Sequence, residues 1–368
     1  SPIPNPQSPL YFLVDIIYEI FKYIYFCLMS FKDKINDINV DEKGIQHDLI
    51  SIKDSLLNSE LLREKKKREN YGILIAILAQ FILSVNQLQL KTYAKWFKEY
   101  YTQNNLLFYR SFSSFAFSLY LIRRKKQKIP KWNEINNKFW FVCRECGAYI
   151  ILLFYLEMTT YFRVSTCQCI FGIHPIIVLL LSIVVINENF YWRYVFGMIL
   201  SFIGSIFILL NEVNPEQREQ SDNKSIFFGC LFSAGYLVTV CISKFAQKML
   251  CKDHMTPEVQ TYYLGLFTMI QAIFFLFFNF NLGLNVYYIL YCMSNGIIFS
   301  LMNMAYVEAM NNLAISKFLP LTYFGTVFIF IMGWIILGER VFFTDILGSL
   351  LIVGFQIYNA WFPVIKVK

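Results

Sequence analysis

Histidine is nearly missing from this sequence, with three in 368 residues. That is too few for a histidine-box oxygenase, and no HExxH, GxSxG or P-loop run is present. No catalytic residue, metal ligand set or cofactor is therefore expected, and an intramembrane enzyme finds little support. Charge is scarce as well: Asp, Glu, Lys and Arg make up 16% of the chain, against 57% apolar residues and a mean hydropathy of +0.46. The nine cysteines offer no zinc pattern, because Cys143 and Cys146 form a lone CxxC without a second pair. The first apolar stretch, Leu10–Ser30, lacks the basic flank and small-residue cleavage site of a signal peptide.

What is there is a series of apolar runs of about 20 residues, each long enough to cross a ~30 Å hydrocarbon core as a helix. The net charge of +8 does not point to nucleic acid. The basic excess sits beside these runs, at Arg63–Arg68 and Arg123–Lys128, where it orients a membrane protein.

Two glutamate pairs reveal a duplication. Glu157 and Glu188 are 31 residues apart (188 − 157), as are Glu308 and Glu339 (339 − 308), and the copies are shifted by 151 (308 − 157). Tyr155/Tyr306, Ser165/Ser316 and Gly197/Gly348 share the shift. The expected fold is an all-α integral membrane protein with ten spans, near 71–91, 104–122, 139–160, 165–185, 192–211, 226–246, 261–280, 286–306, 316–337 and 342–362. Residues 71–211 and 225–363 form two five-helix repeats, which an odd span count makes inverted. A seven-helix receptor does not fit that count.

Residues 1–70 form an N-terminal extension. Asp15, Glu19 and Lys22 make a polar stripe opposite Phe12, Ile16, Ile20 and Ile24, as in a helix lying in the membrane interface or docked on the protein. Ile45, Leu49, Ile52 and Leu56 make a short docking face for a possible protein partner. The basic loop at 123–138 and run at 63–68 place both termini in the cytosol, in an endomembrane or the plasma membrane.

The residues also resemble a known family. Pro175 through Asn187-Glu188, followed by Gly197 and Gly204, resembles the end of an EamA repeat of the drug/metabolite transporter superfamily. The second copy carries Pro320, Tyr323, Leu337-Gly338-Glu339-Arg340, Gly348 and Gly354, and Arg110 resembles the arginine of the second span. The resemblance covers about 71–362. It implies ten helices and alternating-access transport of small organic metabolites, nucleotide-sugar and triose-phosphate carriers being relatives.

Glu188 and Glu339 sit where a carboxylate caps the following helix, with substrate contact as the alternative. Arg340 pairs with a neighbour or lies among headgroups. Glu157 and Glu308, at membrane depth, either carry protons coupled to transport or else snorkel to the interface or join a fixed ion pair. Arg110 and Lys317 are candidate cations for an anionic solute, against a structural pair for Arg110 and snorkelling for Lys317. Lys317→Ala would then weaken an anion more than a neutral analogue. Arg144 and Glu145 are expected at the interface. Gln80, Asn86 and Gln87 should line a cavity or bridge helices. His174 is expected to pack between helices, and Tyr323 offers a hydroxyl or ring to a ligand. Pro175 and Pro320 are either hinges or passive kinks.

The leading expectation is a carrier moving a small polar or anionic metabolite through a central cavity between the repeats. The alternative is a transporter-shaped scaffold without flux, docking a larger membrane assembly through its front end.

Overall fold

A computed structural model describes residues 49–96, 103–161, 172–186, 192–210, 223–253, 255–276, 286–337 and 343–361. Every regular element among them is helical. The chain divides into two units, Ser1–Leu62 and Arg63–Lys368. Of the first, only the residues from Leu49 are described, as helix. The interfacial stripe at Asp15, Glu19 and Lys22 lies outside the described residues, and so does Ile45.

The helices are α1 (Leu49–Trp96), α2 (Gln103–Arg124), α3 (Lys138–Tyr161), α4 (His174–Ile186), α5 (Trp192–Leu210), α6 (Asn223–Lys252), α7 (Pro257–Leu276), α8 (Val286–Asn312), α9 (Ile315–Leu321), α10 (Phe324–Leu337) and α11 (Phe343–Trp361). Six stretches among the described residues are long and apolar enough to cross a membrane: Arg63–Leu90, Lys138–Met158, Phe227–Cys251, Pro257–Leu276, Val286–Asn312 and Ile315–Ile336. Val195–Phe207 and Ile346–Phe355 are shorter apolar helices.

The ninth expected span is not one continuous helix. Pro320 stands next to last in α9, and a turn at Thr322–Tyr323 separates that helix from α10. Proline cannot donate to the ladder, so this is where the chain breaks. In the fourth span Pro175 stands second in α4, after a turn at Gly172–Ile173. At a first helical turn the missing N–H costs nothing, so Pro175 starts a helix rather than kinking one.

Burial is reversed relative to a soluble protein. Asn105, Arg110, Ser111, Ser113, Ser114 and Ser118 of α2 are all buried, whereas its Phe112 and Tyr120 are 44% and 57% exposed. Leu74, Phe139 and Phe343 are exposed likewise. Polar residues inside and large apolar residues outside are what a lipid solvent selects, because unsatisfied polar groups are costly there. This explains why α2 falls short of the hydropathy of a span: its polar side is packed against protein.

Helix α2 packs on α7 and α8, α3 on α6 and α7, and α5 on α11. Gly265 of α7 and Gly296 of α8 bring those helices close to the α2 backbone at Phe115 and Arg110. Helix α1 meets α8 through Asn86 Nδ2 donating to Asn295 O (3.4 Å) and Asn295 Nδ2 donating to Gln89 Oε1 (3.0 Å). It meets α10 through Ser84 Oγ donating to Gly325 O (3.0 Å). The 125–137 connection is tied to the start of α7 and to the connection before it: Glu258 accepts from Lys125 and Gln127, and Asp253 accepts from Asn137 N (3.2 Å) and Nδ2 (2.8 Å).

Candidate functional site: a cation-lined cavity

Helices α1, α2, α3, α6, α7 and α8 line a partly open cavity of about 160 Å³. Its lining falls into matched sets. Leu83, Asn86, Gln87 and Leu90 of α1 are answered by Val240, Ser243, Lys244 and Gln247 of α6, each 157 residues later (240 − 83). The same offset relates Leu107 and Ser111 of α2 to Leu264 and Thr268 of α7. Ala148, Ile151, Leu152 and Tyr155 of α3 are answered by Phe299, Met302, Asn303 and Tyr306 of α8 at an offset of 151 (306 − 155). The second offset is the one the glutamate pairs carry. The first exceeds it by six residues (157 − 151), which fall in the longer connection between α2 and α3.

The chemistry does not follow the positional match. Three cations line the cavity, Arg110, Arg144 and Lys244, and at the matched places stand Phe267, Asn295 and Gln87. Arg144, 2% exposed, corrects the expectation of an interfacial pair: its Nη1 donates to Glu145 Oε1 (2.8 Å) and Gln260 O (3.1 Å), its Nη2 to Asn303 Oδ1 (3.2 Å). Glu145 is fully buried beside it. A pair this deep persists because each charge satisfies the other. Gln247 Nε2 also donates to Asn303 Oδ1 (3.2 Å), and Asn303 Nδ2 donates to Thr261 Oγ1 (2.8 Å).

Arg110, 5% exposed, lies with its guanidinium 4.1 Å from the Phe299 ring centre. Its Nη1 has no hydrogen-bond partner among the described residues. Lys244 Nζ sits 3.9 Å from the Tyr306 ring centre. Both rings attract a cation without neutralising it.

Of the other candidates, Asn86 and Gln87 line the cavity, and Gln80 reaches its wall by donating to Tyr306 Oη (2.7 Å). Tyr323 Oη donates to Gly172 O (2.7 Å), joining the break of the ninth span to the turn before α4. His174 is buried between helices, its carbonyl facing Cys241 Sγ of α6 at 3.9 Å. Lys317 pairs with Glu69 Oε2 (2.7 Å) away from the cavity. Glu157 and Glu308 are half-buried and do not line it. Glu188, Gly338, Glu339 and Arg340 lie outside the described residues. Pro175 and Pro320 are buried near the broken segments, not in the cavity wall.

Sequence reasoning missed Lys244, Phe299 and Asn303. Lys244 stands near the end of an apolar run, and the spacing of four and three in Phe299, Asn303 and Tyr306 marks one helix face. Tyr155 and Tyr306, 151 residues apart in sequence, both line the cavity. Among the described residues no cluster of three or more His, Cys, Asp or Glu is placed to hold a metal. Cys143 and Cys146 are both free.

Residues 70–210 match the model of the EamA-like transporter family. The match falls on the first half of the chain, not on the half carrying Leu337-Gly338-Glu339-Arg340. No curated protein matches this chain. A crystal structure of another protein superposes with a TM-score of 0.64 at 16% identity, covering 79% of this chain and 98% of its own, a likeness of fold alone. The apolar helices and the family match together make the chain an integral, multi-pass membrane protein whose residues 70–210 are similar to the EamA-like transporter family.

Proposed function

We propose that this protein is a carrier that moves a small polar or anionic organic metabolite by alternating access. Its cavity lies between two inverted five-helix repeats, α1–α5 and α6–α11, with α9 and α10 as the two pieces of one crossing. The observation that carries the reading is the matched lining, with both halves contributing side chains at fixed offsets. The packing supports it as well. Helix α3 lies on α6 and α7, while its counterpart α8 touches the counterparts α1 and α2. The self-matched pairs α2·α7 and α5·α11 complete the exchange. Two related half-sites give a solute similar surroundings in the inward- and outward-facing states, so neither state traps it.

The ties at Glu258, Asp253 and Lys317 all lie at the end of the bundle bearing the basic 125–137 connection. By the distribution of basic residues this is the cytosolic end, and opening there requires those ties to separate. Purified protein in liposomes should exchange an internal small polar or anionic solute for an external labelled one at a saturable rate. Ser114→Trp, filling the cavity from α2, should reduce that rate at least tenfold. Equal rates in empty and protein-containing vesicles would refute the carrier.

A further inference from the structure

We propose that the cavity takes a short organic dianion, with one oxyanion group at each end, held between Arg110 and Lys244. This rests on the carrier reading only in taking the cavity as a solute site.

Phe299, Asn303 and Tyr306 lie on one face of α8, and each holds one of the three cavity cations. The cations differ in how they are balanced. Arg144 is neutralised by Glu145. Arg110 and Lys244 rest on rings, which orient a positive group and shed its water but leave its charge uncancelled. None of the residues lining the cavity is Asp or Glu. Arg110 stands nearly buried in the wall of this space, its Nη1 has no hydrogen-bond partner among the described residues, and an oxyanion admitted beside the guanidinium relieves that cost.

Spacing and size limit what that anion is. Phe299 and Tyr306 are seven residues apart, about 10 Å along the helix axis. Two positive heads stationed over those rings suit a molecule charged at both ends better than a single compact ion. The cavity of about 160 Å³ is close to the roughly 150 Å³ that holds a benzene molecule. A chain of four or five carbons with an acid group at each end is of that order. The remaining lining is polar at Asn86, Gln87, Ser111 and Ser243, which suits oxygen-rich ligands. Each end group is a carboxylate or a phosphate; both present the same oxyanion face to Arg110 and Lys244.

Calorimetric titration of the full-length protein in detergent tests this with succinate, succinamate and succinamide, which share a frame and carry two, one and no charges. Each lost charge should weaken binding about tenfold or more. Titration with 3-phosphoglycerate separates the end groups: tighter binding than succinate assigns a phosphate to one end, weaker binding assigns carboxylates to both. Lys244→Gln should bring succinate to within about threefold of succinamate, and Lys244→Arg should restore the gap. Equal binding of succinate and succinamide overturns the proposal, as does a preference retained in Lys244→Gln. Inorganic phosphate binding more tightly than both two-ended ligands overturns it too, as does saturable binding by neither. Because the wild-type series needs no variant, a misfolded mutant does not blunt the test. Dianion binding without flux in liposomes would refute the carrier and leave the site standing; flux of neutral solutes without charge preference would do the reverse.

Discussion

Arg144→Met should lose about 3–5 kcal/mol of stability, the cost of leaving one member of a buried ion pair without its partner. Glu145 is fully buried, and its Oε1 takes a hydrogen bond from Arg144 Nη1 at 2.8 Å; its Oε2 has no other partner among the described residues. Removing the guanidinium also strips a donor from Gln260 O and from Asn303 Oδ1. Those two groups lie on α7 and α8, so the substitution loosens α3 from both neighbours. The double variant Arg144→Met/Glu145→Gln removes the stranded charge, and it should recover more than half of the loss. Unfolding in detergent, followed by fluorescence and by size exclusion, checks both. If Arg144→Met melts within 2 °C of the parent, the pair is not the internal clamp that its geometry implies.

How much of this was legible in the sequence depends on which interaction set each feature. The apolar runs were legible because lipid imposes length and hydropathy on every crossing. The shift of 151 picked out Tyr155 and Tyr306, which both line the cavity. It could not lead to the α1–α6 match, because six extra residues before α3 move that register to 157. Arg144 and Glu145 were misplaced for a different reason. Adjacent opposite charges near a span end usually signal headgroup contact, and only the carbonyl of Gln260 and the amide of Asn303, over a hundred residues away, make burial affordable. Lys317 illustrates the converse: its partner Glu69 is 248 positions earlier, so no local pattern distinguishes pairing from solute contact. Lys244 was passed over because nothing in its own span marks Tyr306 as the ring beneath it.

Gly296→Ala should be the most damaging single-methyl change in the described chain. An added Cβ would stand 2.0 Å from Ser113 Oγ and 2.1 Å from Arg110 O, far inside any tolerated contact. The second of these is backbone, so a rotamer change in Ser113 cannot relieve it; α2 and α8 must separate by more than 1 Å. One turn further on, Ser300 Oγ bonds Ser114 Oγ at 2.7 Å, and that bond stretches with the gap. The Arg110–Phe299 contact lies in the same seam, so the cavity deforms together with the packing. Overpacking of a rigid seam costs about 1–3 kcal/mol and more when the backbone itself is struck. Gly354→Ala is the matched control: among the described residues nothing lies within 4 Å of its Cβ, and alanine's better helix propensity favours the variant by up to about 1 kcal/mol. Ser113→Gly added to Gly296→Ala should give only partial recovery, because the Arg110 carbonyl remains in the way. Thermal unfolding of the four proteins settles the order. Equal stability of the Gly296→Ala and Gly354→Ala variants would mean that α2 and α8 do not approach this closely, and the placement of Arg110 in the cavity wall would fall with it.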